Sequence, residues 1–166
     1  MRTEVFSILV ENTPGVLSHV SGLFSRRGYN IDSFSAGVTM DPRYTRMTIV
    51  VSGDEAILEQ IEKQLAKLED VQDIKKLNPE DSVCREIMLI KVRASDKDRA
   101  AIFSTVNIFR ARIVDVSPDS LIIELTGGQS KLEAFIRLLE GYEILELART
   151  GCTGLTRGAE NVTYLD

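Results

Sequence analysis

The period of the apolar residues changes in a fixed order, and does so twice, along a chain of 166 residues. A two-residue or continuous apolar run marks a strand, and a 3.6-residue period marks a helix packed on one side. Residues 4 to 10, Glu4-Val5-Phe6-Ser7-Ile8-Leu9-Val10, form a nearly unbroken run, so a strand buried on both faces is expected. Asn12 to Gly15 interrupt it. Val16, Leu17, Val20, Leu23 and Phe24 then fall on one helical stripe, which Gly28 closes. Residues 30 to 40 alternate again, with Ile31, Phe34, Ala36 and Val38. Asp41-Pro42 signals a turn, and Arg46 to Val51 make the second arm of a hairpin. Asp54 is placed to cap a second helix carrying Ile57, Leu58, Ile61, Leu65 and Leu68. On its wet face Glu59 precedes Lys63 by one turn. Val71 to Leu77 end the first unit.

The second half repeats the order with little shared residue identity. Strand signals at Glu86 to Val92, Arg112 to Val116, Leu121 to Leu125 and Ile144 to Ala148 alternate with helical stripes over Lys97 to Phe109 and Lys131 to Glu140. The fold class expected is α+β. Two βαββαβ units of ferredoxin-like topology occupy residues 1–77 and 84–150, joined by a polar linker at 78–83. Two repeats are too few for a solenoid. Residues 151–166, rich in Gly, Thr and charge, are expected to form a flexible tail.

Composition narrows the function. A net charge of −5 opposes general nucleic-acid binding, which needs clustered Lys and Arg. No apolar run is long enough to cross a bilayer, and no signal pattern precedes the first strand, so a cytoplasmic location is expected. Cys84 and Cys152 are too few for a disulfide framework.

Catalytic constellations are missing. The single histidine, His19, sits beside the apolar stripe of the first helix. A general base there would be awkward, because it needs access to substrate and an orienting partner. No Cys and His pair has metal-ligand spacing, and no phosphate loop or dinucleotide fingerprint is present. Gly127-Gly128-Gln129-Ser130-Lys131 is too short to serve as one. Arg149 and Arg157 belong equally to a solvated tail or to an interface.

The loop Asn12-Thr13-Pro14-Gly15-Val16-Leu17 is more informative. Gly15 permits close backbone approach, Pro14 stiffens the entry, and the helix behind them offers free N–H groups and a positive dipole end. A carboxylate suits that place. Asn12 can both accept from an ammonium and donate to a carboxylate, as a zwitterion requires. Val16 and Leu17 could wall an apolar side chain. The same residues also read as an ordinary capped turn. Asn30 and Ile31 open an edge strand. If two copies paired edge to edge, Asn30 of one could approach Gly15 of the other.

Several stretches together resemble a known family. Phe6-Ser7-Ile8-Leu9-Val10-Glu11-Asn12-Thr13-Pro14-Gly15-Val16-Leu17 is similar to the opening of an ACT domain, an amino-acid-binding regulatory module. Gly22-Leu23-Phe24-Ser25-Arg26-Arg27-Gly28-Tyr29-Asn30-Ile31, Arg46-Met47-Thr48-Ile49, Gln60-Ile61-Glu62-Lys63-Gln64-Leu65, Arg85-Glu86-Ile87-Met88-Leu89-Ile90-Lys91-Val92 and Glu146-Leu147-Ala148-Arg149-Thr150-Gly151 extend the resemblance over nearly the whole chain. The set resembles the bacterial small regulatory subunits of acetolactate synthase. That resemblance implies a chain without an active site, which activates a catalytic large subunit and confers feedback inhibition by valine. Thiamine diphosphate, Mg and FAD would belong to the large subunit, with no cofactor in this chain. It further implies a homodimer through ACT domains, with valine between Asn12, Pro14, Gly15, Val16 and Leu17 of one copy and Asn30 and Ile31 of the other. No nucleic-acid or membrane partner is implied. Two rival readings, a small enzyme with its site between the halves and an amino-acid-responsive DNA regulator, lack respectively a base with a nucleophile and a basic recognition helix.

Overall fold

A computed structural model describes residues 1–165 and divides them into two units, Met1–Cys84 with the C-terminal segment from Cys152, and Arg85–Gly151. The first unit runs β1 (Arg2–Glu11), α1 (Val16–Arg27), β2 (Ile31–Val38), β3 (Tyr44–Gly53), α2 (Glu55–Ala66) and β4 (Val71–Lys76). Its antiparallel sheet has the order β2-β3-β1-β4. Alternation along β1 and β3 sends Phe6, Ile8, Val10, Met47, Ile49 and Val51 to one face. There they meet Val20, Leu23 and Phe24 of α1 and Leu58, Ile61 and Leu65 of α2. Each large apolar side chain so buried contributes about 2 kcal/mol of transfer free energy. Local chemistry sets the helix limits. Asp54 Oδ1 accepts from the Ile57 N–H at 2.9 Å, and Gly28 (φ 68°) ends α1 in the left-handed region.

The second face of this sheet is also covered. Ser7, Leu9 and Thr48 lie on it by alternation, and each is at most 2% exposed. The C-terminal segment lies across it. Ser35 Oγ donates to the Cys152 carbonyl at 2.9 Å, the Cys152 N–H donates to Ser33 Oγ at 2.9 Å, and the Gly154 N–H donates to Thr48 Oγ1 at 3.3 Å. Further on, Lys75 Nζ donates to the Asn161 carbonyl and Thr163 Oγ1 to Asp73. Residues 151–166 were expected as a flexible tail, yet Thr153–Thr156 form a strand, β9, and the segment behaves as a strap. The reason is polar. An extended backbone needs partners along its length, and the hydroxyls of Ser33, Ser35 and Thr48 supply them. Gly154 is needed for fit, because a Cβ there would stand 2.7 Å from both Cys84 Sγ and Leu77 Cδ1. Asp166 of the expected tail lies outside the described residues.

The second unit follows the same plan, with β5 (Ser82–Arg93), α3 (Asp96–Ile108), β6 (Arg112–Val116), β7 (Ser120–Gly127), α4 (Gln129–Leu138) and β8 (Ile144–Arg149). The order along its sheet is β6-β7-β5-β8, and β9 pairs with β5. The expected linker at 78–83 is therefore shorter, since Ser82 and Val83 already belong to β5. Met88, Ile90, Val92, Leu121, Ile123 and Leu125 pack under Ile102, Val106, Leu132 and Phe135. Phe109 meets Phe135 edge to face at 5.3 Å. A capping box between Ser95 and Asp98 starts α3. Both units thus have the two-layer ferredoxin-like arrangement, a path of four antiparallel strands with two helices packed on one side, and β9 makes the sheet of β6-β7-β5-β8 five-stranded.

Candidate functional site

The loop at residues 12–15 leaves β1 at the end of the sheet where Glu11 pairs with Tyr44 and Val38 with Thr45. Two neighbouring turns hold it. The Asn12 N–H donates to the Arg43 carbonyl at 2.7 Å and its side-chain Nδ2 to the Pro42 carbonyl at 3.0 Å. The Glu11 N–H donates to the Asp70 carbonyl at 2.8 Å. Asp41 stiffens the β2–β3 turn by accepting from Arg43 Nε at 3.0 Å, and the Arg43 guanidinium holds the Asp41 carboxyl below the usual carboxylate range.

Gly15 is the residue before α1, in the left-handed region at φ 88°, and no side chain caps the helix. That φ strains any residue with a Cβ. The space above Gly15 is open, with no heavy atom within 4 Å of an ideal Cβ. Glycine here serves backbone geometry, and it also leaves a gap through which a ligand can reach the helix end. Asn12, Pro14 and Leu17 are exposed, while Val16 is 8% exposed and points into the core. Of the two residues expected to wall an apolar side chain, only Leu17 faces outward. Val38 and Met40, both exposed, lie at the same end of the unit.

Asn30 and Ile31 stand elsewhere. Ile31 pairs with Val51, at the opposite end of β2 from Val38. Seven residue steps of extended chain separate the two ends, roughly 23 Å at about 3.3 Å per step. Within one chain, therefore, Asn30 and Gly15 do not share a site. Asn30 instead opens a polar ladder across three strands. Its Nδ2 donates to Asp32 Oδ1 at 2.9 Å, Ser52 Oγ donates to the other oxygen of Asp32, and Thr3 Oγ1 lies 2.9 Å from Ser52 Oγ.

Two features near the loop escape sequence reasoning. His19 Nδ1 lies 2.5 Å from Asp70 Oδ2 and ties α1 to the α2–β4 turn. The two residues are 51 positions apart, so no local pattern announces the pair. The Pro42 carbonyl that engages Asn12 is a backbone group and carries no sequence signal. In the Gly127 to Lys131 stretch Lys131 turns back to donate to the Thr126 carbonyl at 3.2 Å. Among the described residues no cluster of three or more His, Cys, Asp or Glu is arranged to hold a metal ion, and no helix is long and apolar enough to cross a membrane.

Comparison with known proteins supplies the family. The model described as the AHAS small subunit-like ACT domain matches residues 6–73, and that described as the small subunit of acetolactate synthase matches 85–158. The probable acetolactate synthase small subunit of Methanothermobacter thermautotrophicus is 49% identical over 161 residues, with 96% of each chain covered. This chain belongs to the acetolactate synthase small subunit family. The Mycobacterium bovis small subunit is 48% identical over 161 residues, covering 97% of this chain and 96% of its own. The crystal structure of the Thermotoga maritima small subunit superposes with a TM-score of 0.87 at 46% identity, over 96% of this chain and 99% of that one. The first unit is accordingly an ACT domain, and the expected family and two-unit ferredoxin-like fold both stand. A small subunit implies a regulatory role.

Proposed function

We propose that this chain activates a catalytic large subunit of acetolactate synthase in the cytoplasm and makes it sensitive to valine. Thiamine diphosphate, Mg and FAD would be bound by that large subunit. The observation that carries the valine reading is the uncapped α1 terminus behind Gly15, open to solvent and bordered by exposed Leu17. The valine carboxylate would take the free N–H groups of the first turn, where the helix dipole favours negative charge. The isopropyl group would lie against Leu17. Asn12 keeps its side-chain oxygen for the ammonium, since among the described residues only the Nδ2 of its amide group is engaged. Asn30 and Ile31 lie too far along the sheet to help within one chain, so the ladder of a second copy would complete the site through β2-edge pairing.

Inhibition then follows from linkage. Valine lowers activity only to the extent that it binds the less active holoenzyme arrangement more tightly. The test is acetolactate synthase activity of the reconstituted pair, titrated with valine, leucine and isoleucine. Wild type is expected to be inhibited. Gly15→Asp strains the backbone and sets a negative charge beside the ligand carboxylate, so it should retain activation and lose valine inhibition. Valine sensitivity that survives in this variant would refute the site. Acetolactate formation by this chain alone, with the cofactors supplied, would refute the regulatory assignment.

A further inference from the structure

Contacts of His19 and Asp70 close a ring around the loop at residues 12–15. At its entrance the Glu11 N–H donates to the Asp70 carbonyl at 2.8 Å, and at its exit the His19 N–H donates to the Gly15 carbonyl at 3.0 Å. The ring closes where His19 Nδ1 lies 2.5 Å from Asp70 Oδ2. The imidazole is 62% exposed, whereas the Asp70 side chain is only 17% exposed. A carboxylate so shielded from water relies on its partner to balance its charge. Histidine is the side chain whose charge ordinarily changes between about pH 5 and about pH 8. As imidazolium it cancels the Asp70 charge, and as neutral imidazole it donates Nδ1–H without cancelling it. The residues one turn from His19 on α1 are Gly15, Val16, Gly22 and Leu23, and none is ionisable. On the α2–β4 turn Lys67 and Glu69 are exposed. At the end of β1 the exposed Glu11 accepts from Gln72 Nε2 at 3.2 Å, and across the loop Asp41 pairs with Arg43.

We propose that His19 is a positioning residue that tunes valine sensitivity through Asp70, so that inhibition tightens as the pH falls. This rests on the valine reading of the loop at Gly15. His19 stands one helical turn beyond Gly15, about 5 Å along the axis of α1, so its partner's charge is felt at the helix start. When His19 is protonated, the pair is neutral and the helix dipole acts on the valine carboxylate unopposed. When His19 loses its proton, the uncancelled Asp70 carboxylate repels the valine carboxylate and weakens binding. Free valine remains a zwitterion over the same range, so its own charge does not account for the change.

The test uses the full-length chain reconstituted with the large subunit. The half-inhibitory valine concentration is measured at about pH 6 and about pH 8, on either side of the usual imidazole range. Each activity is taken relative to that without valine at the same pH. The parent should need about threefold more valine at the higher pH, the scale of a partly exposed ion pair. His19→Arg, cationic throughout, should stay sensitive at both values. His19→Gln, neutral throughout, should be weak at both. Adding Asp70→Asn to His19→Gln should recover the sensitive value, since no carboxylate is left to repel the ligand. A merely structural contact would not be restored by losing its second partner. Circular dichroism verifies that each variant is folded. An equal pH response in the parent and His19→Gln, or a folded double variant as weak as His19→Gln, overturns this proposal. Loss of inhibition in Gly15→Asp beside either result leaves the valine site standing. A parent that valine does not inhibit at either pH overturns both.

Discussion

Ser7 of β1 and Leu89 of β5 occupy the same place in the two units, and their environments are inverted. The register shift opposite Leu9 and Val10, where β4 carries an extra residue, and that opposite Lys91 and Val92, where β8 does, align the central strands and pair Ser7 with Leu89. The serine is 2% exposed and the leucine 42%. Serine is normally the residue found outside and leucine the one found inside. The difference lies in what covers each sheet. In the first unit the helix-free face meets the chain's own strap, whose backbone demands hydrogen bonds. Small hydroxyl side chains line the contact, and Ser7 Oγ itself accepts from Arg46 at 2.9 Å. In the second unit the corresponding face keeps Ile87 and Leu89 open to solvent. Burial in this fold therefore tracks the covering element more closely than the residue type.

The comparison can be broken by removing the cover. Deletion of residues 152–166 strips the strap bonds to Ser33, Ser35 and Thr48, at about 1 kcal/mol each, and uncovers the face beneath them. The first unit should lose about 3 kcal/mol or more in urea unfolding. Hydrogen exchange should rise in β1 and β3 while β7 and the part of β5 paired with it, Glu86–Arg93, stay protected, and equal loss in both units would end the distinction. The next effect comes from exchanging the two residues. Ser7→Leu forces a large side chain under the strap and leaves Arg46 without its acceptor, for a cost of about 2 kcal/mol. A fall in the denaturation midpoint without a change in slope would show it. Thr48→Val removes the acceptor of the buried Gly154 N–H and keeps the shape, so about 1 kcal/mol should be lost by the same measurement. The smallest effect belongs to Leu89→Ser, within about 0.5 kcal/mol, as expected of a surface position. A loss as large as that of Ser7→Leu would mean that the second face is covered too.

Much of the fold was legible because it depends on period. The stripe Val16, Val20, Leu23, Phe24 and the alternation of Met47, Ile49 and Val51 name the core residues of the first unit directly, and Asp54 and Gly28 mark helix ends by local chemistry. Part of the candidate site was legible for the same reason, since Gly15 requires a left-handed φ and precedes a helix. Its setting was not. Asn12 is held by a backbone carbonyl 30 residues away and His19 by Asp70, and neither contact leaves a periodic trace. Val16 illustrates the limit, since its place on the apolar stripe and its place in the loop gave it two readings, and packing decided for the core.

The run Phe6-Ser7-Ile8-Leu9-Val10 already specified, by itself, a strand with two buried faces, because no solvent-facing alternation interrupts it. It could not say what lay on the second face. That was decided by closure of the tertiary fold, which brings a polar C-terminal segment more than 100 residues away onto the hydroxyls of Ser33, Ser35 and Thr48. Side-chain period is a local property of the chain, whereas the partner of a sheet face is fixed only when distant segments meet and their backbone donors and acceptors are satisfied.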